Sequence, residues 1–170
     1  MKILLFASII ICSNNSLTTK QLDPTIQLKT ISLNDNVVDA RDYSKILYPL
    51  LEKFWKEKRL SDEEIAKLIP MTDKEFSEYY SLSFVEKGKK WNKIYSDIEL
   101  LIGKRACVSQ QVCKAYLGLA PFVDGEYAEG YFEDADFIIG KHQKYFCKIF
   151  SSFPQNVRKR LNDLHSHYCK

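Results

Sequence analysis

Three histidines, five cysteines and a short acidic run are the residues of this chain whose types could support chemistry. The histidines are His142, His165 and His167. His165 and His167 stand two apart, so on a helix their side chains diverge by about 200° and cannot share one metal. Glu133, Asp134 and Asp136 supply too few oxygens for a calcium loop, and no D-x-D-x-D-G pattern surrounds them. Placed at the start of a long helix, they complement its dipole, and that reading suffices. Asp124-Gly125-Glu126 reads as a turn before it reads as a ligand cluster. A G-x-S-x-G elbow, a P-loop and an H-E-x-x-H motif are all missing. The sequence thus offers no catalytic residue, no metal site and no cofactor site, and it predicts a protein that is not an enzyme.

The cysteines point to a different use. Met1-Lys2 precedes an unbroken apolar or small run, ILLFASIIIC, over residues 3–12. As a helix that run rises about 15 Å, half of a bilayer core, which suits a signal peptide and not a span. Cuts after Ser13, Ser16 or Thr18 all fit, so residues 1–18 are read as a signal peptide. A lipid-bearing Cys12 is disfavoured by Ile11, where Gly or Ala is usual. Removal of Cys12 leaves Cys107, Cys113, Cys147 and Cys169, an even set that predicts two disulfides in an exported protein. If Cys107 and Cys113 share one helix, they lie about 9 Å apart along its axis, too far to bond. Each would then pair with a later cysteine. A nested arrangement, Cys107 with Cys169 and Cys113 with Cys147, suits antiparallel helices, and the crossed arrangement stays open.

The elements that must carry these residues are helical. Residues 19–38 form a polar leader, and 39–170 a single domain. Leu47, Leu50, Leu51, Phe54 and Trp55 make one apolar face of a helix over 39–58, with Pro49 in its first turn or at a kink. Ser61-Asp62-Glu63-Glu64 is a capping box, and Thr72-Asp73-Lys74-Glu75 repeats the signal. The second of these opens a helix that Gly88 stops; the next runs from Trp91 to a stop at Gly103. A helix over 107–117, a loop over 119–130, a helix over 132–150 interrupted by Gly140, and a last helix after Pro154 complete the chain. The expected fold is all-α, an irregular bundle of roughly six or seven helices with two disulfides.

Charge narrows the partners. The net charge is only +3, which predicts no nucleic-acid binding. Lys87, Lys89, Lys90 and Lys93, and the run Arg158-Lys159-Arg160, read as solvated helix faces. Aromatics make up 13% of the chain, enough to line a cavity between helices as well as to fill a core. No stretch of the sequence is long and apolar enough for a transmembrane span.

Two stretches carry a family resemblance. KFWKEKRLSDEEI, residues 53–65, and SFPQNVRKRL, residues 152–161, resemble the nematode SXP-type secreted helical proteins. They are also similar to the nematode fatty-acid- and retinol-binding proteins. The resemblance implies a secreted helical protein, and in the second case a lipid carrier; no functional residue carries over. The expected function is non-enzymatic binding outside the cell, of an apolar small molecule held between helices. The alternative is a protein-interaction module that engages an extracellular protein as an inhibitor, effector or immunity-type factor.

Overall fold

Hydroxyl caps and buried apolar stripes set where the helices of this chain begin and which way they face. The computed structural model describes residues 41–85 and 89–170. The expected signal peptide and leader, with Cys12, lie outside the described residues, as does the helix stop at Gly88. Within the described residues the regular structure is helical throughout, in agreement with an all-α fold.

Helix α1 covers Ser44–Glu57, α2 Asp62–Leu68 and α3 Asp73–Ser81, which ends in a 3-10 turn over Leu82–Phe84. Then come α4 (Lys90–Ala106), α5 (Gln110–Leu117), α6 (Gly125–Lys141), α7 (Gln143–Ile149), α8 (Gln155–Arg160) and α9 (Asn162–Tyr168). Nine α-helices among the described residues replace the expected six or seven. Two breaks account for the difference. The long helix expected to end near Phe150 breaks at His142 and not at Gly140, and the last helix breaks at the buried Leu161. At the first break His142 turns aside, and its Nε2 lies 3.0 Å from the Ala106 carbonyl at the end of α4.

Local chemistry explains most of the remaining ends. The Ser61 capping box is complete: Glu64 N–H donates to Ser61 Oγ at 3.2 Å, and Ser61 N–H donates to the Glu64 carboxylate at 2.8 Å. Ile69 is extended, as the residue before Pro70 should be, and that stops α2. Helix α4 runs through Gly103, because a helical glycine costs only about 1 kcal/mol and Ile102 and Ala106 continue the buried stripe. The expected helix from Cys107 starts later, at Gln110. Ser109 caps it through the Val112 N–H, so a turn separates Cys107 from Cys113. Gly125, at φ +52°, takes the left-handed conformation that opens α6. That start lies within the expected loop, so Glu133, Asp134 and Asp136 fall mid-helix, where the dipole account no longer applies.

The core gathers on α5. Its Val112, Cys113, Tyr116 and Leu117 are buried, and the helix packs against both α2 and α4. Helix α1 covers α2 with Leu47, Leu51 and Phe54. The carboxy-terminal helices close on α6 and α7. No helix among the described residues is long and apolar enough to cross a membrane.

The cysteine pairing differs from the expectation. Cys147 of α7 bonds to Cys169 beyond α9, with Cα atoms 5.5 Å apart. Neither the nested nor the crossed pairing forms. Among the described residues one disulfide is present, and Cys107 and Cys113 are thiols. The expected pairings presuppose a helix through both residues, and the Ser109 turn interrupts it. Burial pushes the Cys113 thiol up to about 12, which makes it unreactive at neutral pH.

The bond closes a loop of 22 residues that spans α7 to α9. Reduction of Cys147–Cys169 is expected to cost about 3 kcal/mol. Urea unfolding with and without reductant measures it, and an unchanged midpoint would show the bond to be inconsequential.

Candidate functional site

Helix α5 has two faces. The buried face is described above. The opposite face carries Gln111, Lys114, Ala115 and then Gly118 just past the helix end, an i, i+3, i+4, i+7 stripe. The small Ala115 and Gly118 leave a trough. Ala66 of α2 and the link Ile69-Pro70-Met71 form one wall. Phe122 and, across from α2, Phe153, Pro154 and Val157 form the other. The result is a mostly apolar pocket of about 410 Å³ that opens to solvent on one side. Ligand pockets in proteins occupy roughly 300–1,000 Å³.

Each wall includes a stretch of irregular backbone, and an arginine fixes each. Arg41 donates through Nε and Nη2 to the two carboxylate oxygens of Glu75, at 2.8 and 2.7 Å. The same guanidinium donates to the Ile69 carbonyl at 3.0 Å and the Lys67 carbonyl at 3.3 Å. Glu75 in turn accepts the Met71 N–H at 2.6 Å, and the Tyr43 hydroxyl donates to the Leu68 carbonyl. The Lys67 and Ile69 carbonyls and the Met71 amide, which flank Pro70, are thereby tied to one ion pair. Glu75 is 6% exposed. Burial works against its carboxylate, yet the Arg41 fork and the Met71 N–H hold it below the usual range. On the opposite wall Arg160 donates to the Ala120 and Val123 carbonyls, each at 3.0 Å, and covers the Phe132 ring. Arg160 is therefore a structural residue and not part of a solvated basic run.

A second, part-buried cluster lies away from the pocket lining. Glu99 of α4 accepts the Tyr79 hydroxyl at 2.5 Å and the Tyr127 hydroxyl at 3.1 Å. Burial pushes the Glu99 carboxyl above its ordinary range, and the negative charge of Asp134 adds to that; the two phenols pull the other way and lose. Asp134 is itself raised by partial burial, with the Tyr116 hydroxyl 3.4 Å away. These groups join α3, α4, α5 and α6 into a polar seam inside an otherwise apolar bundle.

The residues singled out in the sequence scatter. His165 stacks on Phe150 with centroids 3.8 Å apart, and His167 packs edge-on against Tyr168. Among the described residues no three His, Cys, Asp or Glu side chains come together as a cation site. Lys90 pairs with Glu52 and lies over the Trp55 and Trp91 rings. Of the aromatics, Phe122 and Phe153 line the pocket, while Phe84 and Phe137 are 75% and 58% exposed. The pocket depends more on small residues than on aromatic ones. The signal for it in the sequence was the stripe of Ala115 and Gly118 opposite the apolar face of α5. Comparison with protein-family models, with curated proteins and with solved structures returns no match.

Two outcomes follow from this geometry. Arg41→Ala leaves the Glu75 carboxylate buried without a counter-charge and is expected to cost about 3 kcal/mol in urea unfolding; a loss under about 0.5 kcal/mol would place the pair among surface bridges. Glu99 has its folded pKa raised above the unfolded value of about 4.5. Its stabilising contribution is therefore full below that value and is lost as pH rises through the higher folded one. Glu99→Gln removes this dependence, so its stability should fall less than the parent's between pH 4.5 and pH 8. Parallel pH profiles for the two proteins would contradict the assignment.

Proposed function

We propose that this chain is a secreted, non-catalytic binding protein that holds an apolar ligand in the pocket between α2, α5 and α8. The observation that carries the reading is the pocket itself, a mostly apolar trough of about 410 Å³ whose walls are pinned by Arg41 and Arg160. Among the described residues its lining has no carboxylate, imidazole or thiol, so it supplies dispersion and desolvation in place of acid–base or nucleophilic groups. Its concavity favours a small apolar molecule over a protein partner, for which a flat apolar patch would be the better match. Secretion is supported by the Cys147–Cys169 bond, which suits an oxidising compartment, and by the short apolar run over residues 3–12.

The test is displacement of a fluorescent apolar reporter from the intact chain, in parallel with Ala115→Trp. The indole would occupy the trough from its floor. Uptake by the parent with at least a tenfold loss in Ala115→Trp, at unchanged helical content, is the expected outcome. Equal uptake by both proteins would place the ligand elsewhere.

A further inference from the structure

Lys114 is the one charged residue in the pocket lining, and no acidic residue accompanies it there among the described residues. It sits on the exposed side of α5, one helical turn from Gly118 at the floor of the trough. Its ammonium makes no ion pair or hydrogen bond with any described residue. Two other cations beside the pocket are engaged by protein groups. Lys67 of α2 is engaged by Glu63, and Arg160 of α8 by two carbonyls. The pocket therefore presents an apolar trough with a single unpaired positive charge, flanked by the amides of Gln111 and Asn156.

From this arrangement we infer that the ligand is a single-chain anionic amphiphile, its alkyl chain in the trough and its carboxylate on the Lys114 ammonium. The inference rests on the apolar-pocket reading and adds the headgroup to it. The physical ground is complementarity. An uncharged chain would leave the ammonium solvated and unchanged. A cationic headgroup would meet repulsion with no carboxylate nearby to offset it. A carboxylate gains a charge-assisted contact beside apolar surface, where screening by water is weaker than on an open helix face. The long lysine stem can also lie along the alkyl chain and cover part of it.

Myristate, tetradecanol and tetradecylamine share one chain length and differ only in the headgroup. Each is titrated, below its aggregation limit, against the full chain loaded with a fluorescent apolar reporter. The parent should bind myristate about fivefold more tightly than the alcohol, with the amine weakest. Lys114→Gln should bring myristate and the alcohol level, any loss of stem contact with the alkyl chain falling equally on both. Lys114→Glu should reverse the order in favour of the amine. Because Lys114 is exposed and has no partner to lose, Lys114→Gln should leave the unfolding midpoint nearly unchanged, and Lys114→Glu, in the last turn of α5, should lower it only slightly. If the parent binds all three ligands alike, or if both variants keep the parent's order, the headgroup inference is overturned while the apolar pocket stands. If no ligand displaces the reporter, or the reporter itself fails to bind, both readings fall together.

Discussion

A carboxylate buried at 6% exposure must have a partner, and in this protein the partner of Glu75 comes from 34 residues earlier in the chain. The Arg41–Glu75 pair is the constraint on which the pocket depends. The segment from Leu68 to Thr72 has to turn sharply through Pro70, and its carbonyl and amide groups cannot join a helix ladder. Arg41 takes up the carbonyls of Lys67 and Ile69, Glu75 takes up the Met71 amide, and Tyr43 takes up the Leu68 carbonyl. The wall formed by Ile69, Pro70 and Met71 is consequently preformed, with no need for a ligand to order it.

The same economy recurs across the bundle. Arg160 satisfies the carbonyls of the α5–α6 turn, and Arg105 forms a bidentate pair with Asp62 at 2.8 and 2.9 Å, linking the end of α4 to the start of α2. Arginine suits this work because its planar fork meets two acceptors at once. The Glu99 seam is the exception. It is a carboxyl held by phenols with no cation among the groups that shift it, so it sets the four helices around it in register at some cost near neutral pH. Polar pinning at the edges and apolar packing on α5 together leave one concave face open.

Much of the fold was legible in the sequence because it is written in local patterns. The Ser61 box, the extended Ile69 before Pro70, and the stripes through Leu47, Leu51 and Phe54 and through Ile94 and Ile98 all appear where periodicity and capping place them. What failed to read was long-range. The Thr72 signal promised a second reciprocal box. Thr72 does accept the Glu75 amide at 3.2 Å, but the Glu75 carboxylate is drawn away by Arg41. Gly103 looked like a helix stop and Gly130 like part of a loop, yet α4 and α6 run through them. The breaks at His142 and Leu161 carry no Gly or Pro of their own, so nothing in the local sequence announced them. The Cys147–Cys169 bond was not foreseen, because the nested and crossed pairings both presuppose a continuous helix that Ser109 interrupts. The pocket was half-legible: the small and polar stripe of α5 is in the sequence, but its walls come largely from segments around residues 66–71 and 153–157, which only the fold brings together.

Methyl NMR tests the central claim most directly, since Ala66 and Ala115 place alanine methyls on opposite helices of the pocket and Ala120, Ala128 and Ala135 serve as references outside its lining. The account predicts that titration of the intact protein with myristate shifts the Ala66 and Ala115 methyls together, in a saturable manner, and leaves the references in place. Saturable shifts confined to the reference alanines, or no saturable shift at all, would contradict it.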